Sequence, residues 1–292
     1  MTFDRFMKNF LLEEGAVFPN EVYCNDCWYS FTPQGLMHRI FILRRRTGQF
    51  AMEYGTWPLI APLRVVPGNS VKKEIFGRPG KTARSEFDLR TSTAQDPESV
   101  EALRRMVSET VLPDLHALPT IRALYDEAAA FVDRLSESPR ELYGVDTRPY
   151  LHPYQYLPHG AAAYVFAYLH KAAEGLNGIQ KTRELDAMAV RGDLAAWKAR
   201  GCSDEELHSR DKLNASMQLD ETGRRLLLLP QSEQEQKLRE IFDENRNKIK
   251  KLLGIEPDFD LDFIFPEKAR IIAHGVQNYE EFQANGVPLI FF

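Results

Sequence analysis

The stretch WYSFTPQGLMHRIFILRRRTGQFAMEY, residues 28–54, decides the fold class. Aromatic and β-branched residues crowd Trp28–Phe31, Met37–Arg45 and Gln49–Tyr54, and these residue types suit a pleated, partly buried surface. Thr32-Pro33-Gln34-Gly35 and Thr47-Gly48 separate the runs with turn formers, so the three read as successive antiparallel strands. The same texture extends outward to Glu21–Tyr23 on one side and to Val71–Phe76 and Ser85–Leu89 on the other.

On both sides of this meander the period changes to that of a helix. Phe3, Phe6, Met7, Phe10 and Leu11 recur at helical spacing and stop near Gly15. Asp96-Pro97 reads as an N-cap with proline at the first helical position, and Val100, Leu103, Val107 and Val111 trace one face behind it. A second helix is expected from Thr120, with Ile121, Leu124, Ala128, Phe131 and Leu135 inward. Ser136–Pro149 is polar and carries proline, and it is read as the boundary between an α+β domain over 1–140 and a mainly helical domain with short strands over 141–292. In the second half, Ala161–Ala173 reads as one buried helix. Ser203–Glu206 and Ser232–Glu235 match the capping box, and the helix behind the latter is expected to end at Gly254. Phe259, Leu261, Phe263 and Phe265 alternate with Asp258, Asp260 and Asp262 as in a half-buried strand, and Val287–Phe292 adds a short apolar run.

Composition narrows the function classes. The formal net charge of −5 gives no general attraction to nucleic acid or anionic lipid. No stretch reaches the roughly 18 apolar residues of a membrane span, and Met1–Gly15 interrupts its apolar residues with charge, unlike a secretory signal. Three cysteines in a chain of this size fit a reducing compartment, so a cytoplasmic location is expected.

Five motifs carry possible chemistry. Cys24-Asn25-Asp26-Cys27 has the spacing of a metal knuckle or redox pair, which would make the chain a metal-dependent regulator. No second C-x-x-C completes a zinc set, so the pair is read as metal-free. Gly77-Arg-Pro-Gly80-Lys81-Thr82 resembles the end of a phosphate loop but has Ile75 where the first glycine belongs, and it reads as a hairpin turn. Arg44-Arg45-Arg46 reads as charge protecting a strand edge. His152-Pro-Tyr154-Gln-Tyr156-Leu-Pro-His159-Gly brings two histidines and two tyrosines to the domain junction. If its prolines hold it extended, alternate side chains line a pocket in which His152, Tyr154, Tyr156 and His159 serve as the catalytic set of an enzyme. Asp258, Asp260 and Asp262 lack the glycine and glutamate of a calcium loop and read instead as an acidic stripe for a basic partner.

The order of helix, strands and two helices over the first 140 residues resembles an uncharacterised bacterial domain family often encoded beside polymorphic toxins and associated with toxin immunity. Phe3–Gly15, the strands through Phe41–Tyr54, and Val111-Leu-Pro-Asp-Leu115 opening into the Thr120 helix carry that resemblance. It implies a cytoplasmic interaction module that neutralises a toxin, without catalytic residues to transfer. With every common catalytic signature absent, a protein-binding role is expected ahead of an enzymatic one, with no cofactor and with a basic toxin as partner.

Overall fold

The computed structural model describes residues 3–16, 18–24, 26–44, 49–63, 84–90, 97–158, 160–201 and 221–259. Five strands, β1 (Val22–Cys24), β2 (Cys27–Phe31), β3 (Leu36–Arg44), β4 (Gln49–Pro58) and β5 (Arg84–Arg90), form one sheet in sequence order, antiparallel throughout. This is the meander expected from the 28–54 stretch, with β4 running four residues beyond Tyr54. The β2–β3 turn is fixed by Thr32, which pairs with Leu36 through its backbone and accepts the Leu36 N–H at Oγ1 (3.1 Å). Gly35 takes φ +76°, a left-handed conformation that a side chain disfavours. Val71–Phe76, Gly77–Thr82, Arg45, Arg46, Asp96 and Ser203–Glu206 lie outside the described residues.

Both faces of the sheet are covered, which explains why β2 and β3 are nearly continuous apolar runs. Trp28, Ile40, Ile42, Met52 and Tyr54 face one layer of helices. That layer is α1 (Phe3–Glu14) and the unit made by α2 (Pro97–Met106), a π-helical turn (Val107–Val111) and α3 (Leu112–His116). Pro113 has no N–H to donate into the preceding turn, so the wider π turn falls where the regular ladder would be interrupted. Three polar residues share this face in register, Ser30, His38 and Thr56. The Ser30 hydroxyl donates to the Pro19 carbonyl (2.7 Å), and His38 Nδ1 lies 2.8 Å from Thr56 Oγ1. Tyr54 reaches across the layer and donates its hydroxyl to buried Asp114 on α3 (2.8 Å).

The opposite face, with Cys27, Tyr29, Phe31, Met37 and Trp57, shares one core with helices that follow it in sequence. These are α4 (Ile121–Ser136), α5 (Ala162–Tyr168), α6 (Ala172–Ala199), two turns over 221–227 and α7 (Gln231–Leu253). Thr120 caps α4 as expected, its hydroxyl accepting the Ala123 N–H at 3.0 Å. A two-stranded hairpin, β6 (Glu141–Leu142) and β7 (Val145–Asp146), occupies the polar stretch after α4. The chain is therefore α+β, an antiparallel sheet flanked by helices followed by a mainly helical region.

Two expectations change. The apolar run Ala161–Ala173 is not one helix: α5 ends at Tyr168, His170 turns left-handed at φ +58°, and α6 starts at Ala172. The run looks continuous because Leu169 is buried and Ala172 packs on the core at either side of the turn. Ser232–Glu235 does not form a capping box. Pro230 is the N-cap of α7, and Glu235 lies 3.5 Å from His170 instead. Gly254 does end that helix, at φ +69° with its N–H on Lys250 O. Of the strand expected over 258–265 only the first two residues are described, Asp258 exposed and Phe259 buried against Phe242 and Phe31; residues 260–265 and Val287–Phe292 lie outside the described residues.

The residue that ties the two ends of this core together is Asn245, fully buried on α7. Its Nδ2 donates to Leu59 O (2.7 Å) and Ala61 O (2.8 Å), and its Oδ1 accepts the Leu63 N–H (3.1 Å). One amide side chain thus satisfies three backbone groups of the segment that leaves β4, as a neighbouring strand would.

Candidate functional site

The junction segment Pro153–Tyr156 is a 3-10 turn, not an extended strand, because His152 Nδ1 accepts the Tyr154 N–H (3.1 Å) and closes the turn. Phe166 of α5 organises what surrounds it. His152 stacks on it at 5.6 Å and Tyr154 at 5.9 Å, and Tyr125 of α4 meets it edge-on at 5.5 Å. Tyr156 points elsewhere, against Phe131 at 4.9 Å, and His159 lies outside the described residues. The structure therefore brings His152 and Tyr154 together on one ring. Burial lowers the His152 pKa to about 4, with Lys181 and Lys171 pushing the same way and Glu174 opposing. At neutral pH its ring is uncharged and already engaged as an acceptor.

Sequence reasoning missed the polar network beside it. The Tyr125 hydroxyl donates to Glu174 Oε1 (2.6 Å) and accepts from Lys171 Nζ (2.7 Å), which also donates to Glu174 Oε2 (2.8 Å). Burial and the Glu174 contact push the Tyr125 hydroxyl up. Burial opposes the charge on Lys171 and on Glu174, yet their hydrogen bonds with each other and with Tyr125 hold the ammonium above and the carboxyl below their ordinary values. Acid–base catalysis near pH 7 needs groups brought towards neutrality. These three are driven away from it, so the network locks α4 to α6. The Lys171–Glu174 spacing was visible as a helical i, i+3 pair, whereas Tyr125 gave no signal.

Space around this junction is set by Gly178 of α6. A Cβ there would lie 2.6 Å from both His152 Nδ1 and Tyr154 Cβ. Gly178→Val is accordingly expected to destabilise the chain by about 2–3 kcal/mol through overpacking. Urea unfolding with an unchanged midpoint would show that the aromatic segment is loosely held.

Cys24 and Cys27 face each other across the β1–β2 hairpin as free thiols. Burial pushes the Cys27 thiol up, partly offset by its hydrogen bond with Tyr29, which disfavours the reactive thiolate. Among the described residues no group of three or more His, Cys, Asp or Glu converges in the manner of a metal site. Of the acidic stripe, Asp258 is exposed, while Asp260 and Asp262 lie outside the described residues. The surface next to Asp258 is mixed in charge: a cavity of about 240 Å³ there is lined by Arg246 and Lys250 as well as Asp243 and Glu256.

An open groove of about 800 Å³ runs along α6. Leu176, Ile179, Ala187 and Met188 supply its apolar wall together with Tyr150 and Leu228, Arg183, Arg191, Arg224 and Glu184 supply charge, and Gln180 adds a neutral amide. One large apolar side chain stands exposed within it, and others stand exposed elsewhere in this half of the chain. Leu228 is 58% exposed within the groove, and Leu229 follows it in sequence. Near the other end, the ring of Tyr143, 54% exposed, rests on the Cβ-free backbone of Gly192, one residue beyond Arg191. Val145 of β7 is 42% exposed in the same hairpin.

The fold is α+β, and the described surface includes a helical groove with apolar and cationic walls. Among the described residues, no helix is long and apolar enough to cross a membrane. No protein-family model matches the chain, and no curated protein and no solved structure matches it either.

Proposed function

We propose that this chain is a protein-binding module, of the toxin-immunity type that its N-terminal resemblance implies, and that its partner docks along α6. One observation carries the reading: Leu228, 58% exposed, stands in a groove walled by Leu176, Ile179, Ala187 and Met188, and the exposed ring of Tyr143 packs on Gly192 next to the groove residue Arg191. Exposed apolar residues scattered singly need no explanation, but apolar surface gathered along one concavity marks an interaction site. Among the described junction residues, His152 is held uncharged and packed on Phe166, and Tyr125, Lys171 and Glu174 hydrogen-bond to one another, which favours a binding role over catalysis there.

The test uses a partner first captured by the full chain from its native cells, then purified and titrated by calorimetry against wild type and Leu228→Glu. A loss of about tenfold or more in affinity is expected for the variant, since a carboxylate would replace an apolar contact in the groove. A partner that binds both chains equally docks elsewhere and overturns the assignment of the groove.

A further inference from the structure

Resting on that reading, we infer that the α6 groove takes an acidic amphipathic helix of the partner, its carboxylates received by Arg183, Arg191 and Arg224. Three independent features of the groove point to this occupant.

The first is periodicity. The α6 residues in the groove fall at 176, 179, 180, 183, 184, 187, 188 and 191, so every turn contributes to one stripe. From Leu176 to Arg191 this stripe runs about 22 Å at 1.5 Å per residue. That length matches four turns of a second helix laid alongside, with apolar anchors spaced as in helix-in-groove recognition. A compact small molecule would use only part of it.

The second is charge. The walls carry Arg183, Arg191 and Arg224 against Glu184, whose carboxylate accepts from Gln180. At the rim, Glu221 is shared by Arg183 (3.5 Å), Arg224 (3.6 Å) and Arg225 (3.4 Å). One carboxylate divided among three guanidiniums at such distances leaves most of their donors for an incoming acceptor. An excess of arginine beside an apolar stripe is complementary to a helix with leucine-like residues on one face and glutamate or aspartate beside them.

The third is an unmet donor. Arg183 Nε is buried and has no hydrogen-bond partner among the described residues. A buried donor left without an acceptor is costly. Nε itself is closed to solvent, so an incoming carboxylate meets the exposed part of the same guanidinium, whose Nη2 stands 3.5 Å from Glu221. This polarity is opposite to that expected of the Asp258 surface, which lies at a different place on the chain.

The experiment uses defined peptide probes in place of the natural partner. A display library of 18-residue helical peptides is built with apolar residues fixed at heptad core positions and flanking positions varied among Glu, Lys, Gln and Ser, then selected on the immobilised full chain. Glu-rich peptides are expected to be enriched, with affinity falling as salt rises. Arg183→Gln/Arg224→Gln, and separately Arg191→Gln, should weaken those peptides about tenfold or more while circular dichroism and the unfolding midpoint stay near wild type. Enrichment of Lys-rich or charge-indifferent peptides that is abolished by Leu228→Glu overturns the acidic partner but leaves the binding module standing. Glu-rich peptides that bind the arginine variants undiminished also overturn it. A selection that yields no binder of any charge overturns both this inference and the groove as a docking site.

Discussion

Lowering the pH from 7 towards 4 is expected to remove several kcal/mol of stability through two buried histidines. His38 lies under α1 and α3 with its ring against Phe18, and burial, reinforced by nearby His116, lowers its pKa to about 3. His152 is lowered to about 4 by its packing on Phe166. In the unfolded chain both titrate near the ordinary histidine value of about 6.5. Above that pH the ring is neutral in both states and the contribution to stability is complete. Between about 6.5 and the folded value only the unfolded chain takes up the proton, so falling pH favours unfolding by up to about 1.4 kcal/mol per unit for each ring. Urea unfolding of wild type and His38→Gln at pH 7, 6, 5 and 4.5 separates this effect from carboxylate titration, which is common to both chains. The variant should lose stability less steeply below pH 6.5, and parallel curves would show that His38 is not held neutral in the fold.

Asn245→Ala is expected to cost about 3–5 kcal/mol, because it leaves the Leu59 and Ala61 carbonyls and the Leu63 N–H without their partner in a buried setting. Asn245→Leu should fare no better, since the added apolar volume satisfies none of those groups. A loss below about 1 kcal/mol in either variant would mean that water replaces the amide and that the segment after β4 is not sealed.

The sheet was legible because its information is local. Runs of aromatic and β-branched residues and the Thr32–Gly35 turn are read within a few residues, as are the Thr120 cap and the Gly254 stop. The longest helix, α6, was not legible. Gly175, Gly178 and Gly192 sit inside it and lower its apparent propensity, yet each makes room for a neighbour far away in sequence: Leu227 and Phe166, His152 and Tyr154, and Tyr143. Asn245 was hidden for a related reason. A polar residue on a charged helix reads as solvated, and its partners lie more than 180 positions earlier. The junction histidine stands out in the sequence as unusual, but its signal belongs to packing. Periodicity reports which residues are apolar in turn, and it cannot report whether an aromatic–histidine segment closes on a ring or opens on a cavity. The arginines of α6 gave no signal in the sequence, because Arg224 and Leu228, which line the groove with them, lie far along the chain.

The shared core also governs how the chain can be made. The sheet face bearing Phe31, Met37 and Trp57 is covered by α5 and α7, and Leu59 waits for an amide 186 residues downstream. A ribosome adding about 5–20 residues per second leaves that face uncovered for roughly ten to forty seconds after the strands emerge. During that interval the nascent sheet exposes aromatic surface beside its own unpaired edge, the state in which strands meet wrong partners. Newly made protein is therefore expected to depend on chaperones until α7 is released. A chain cut short before residue 231 would remain in that exposed state and be lost to aggregation or degradation.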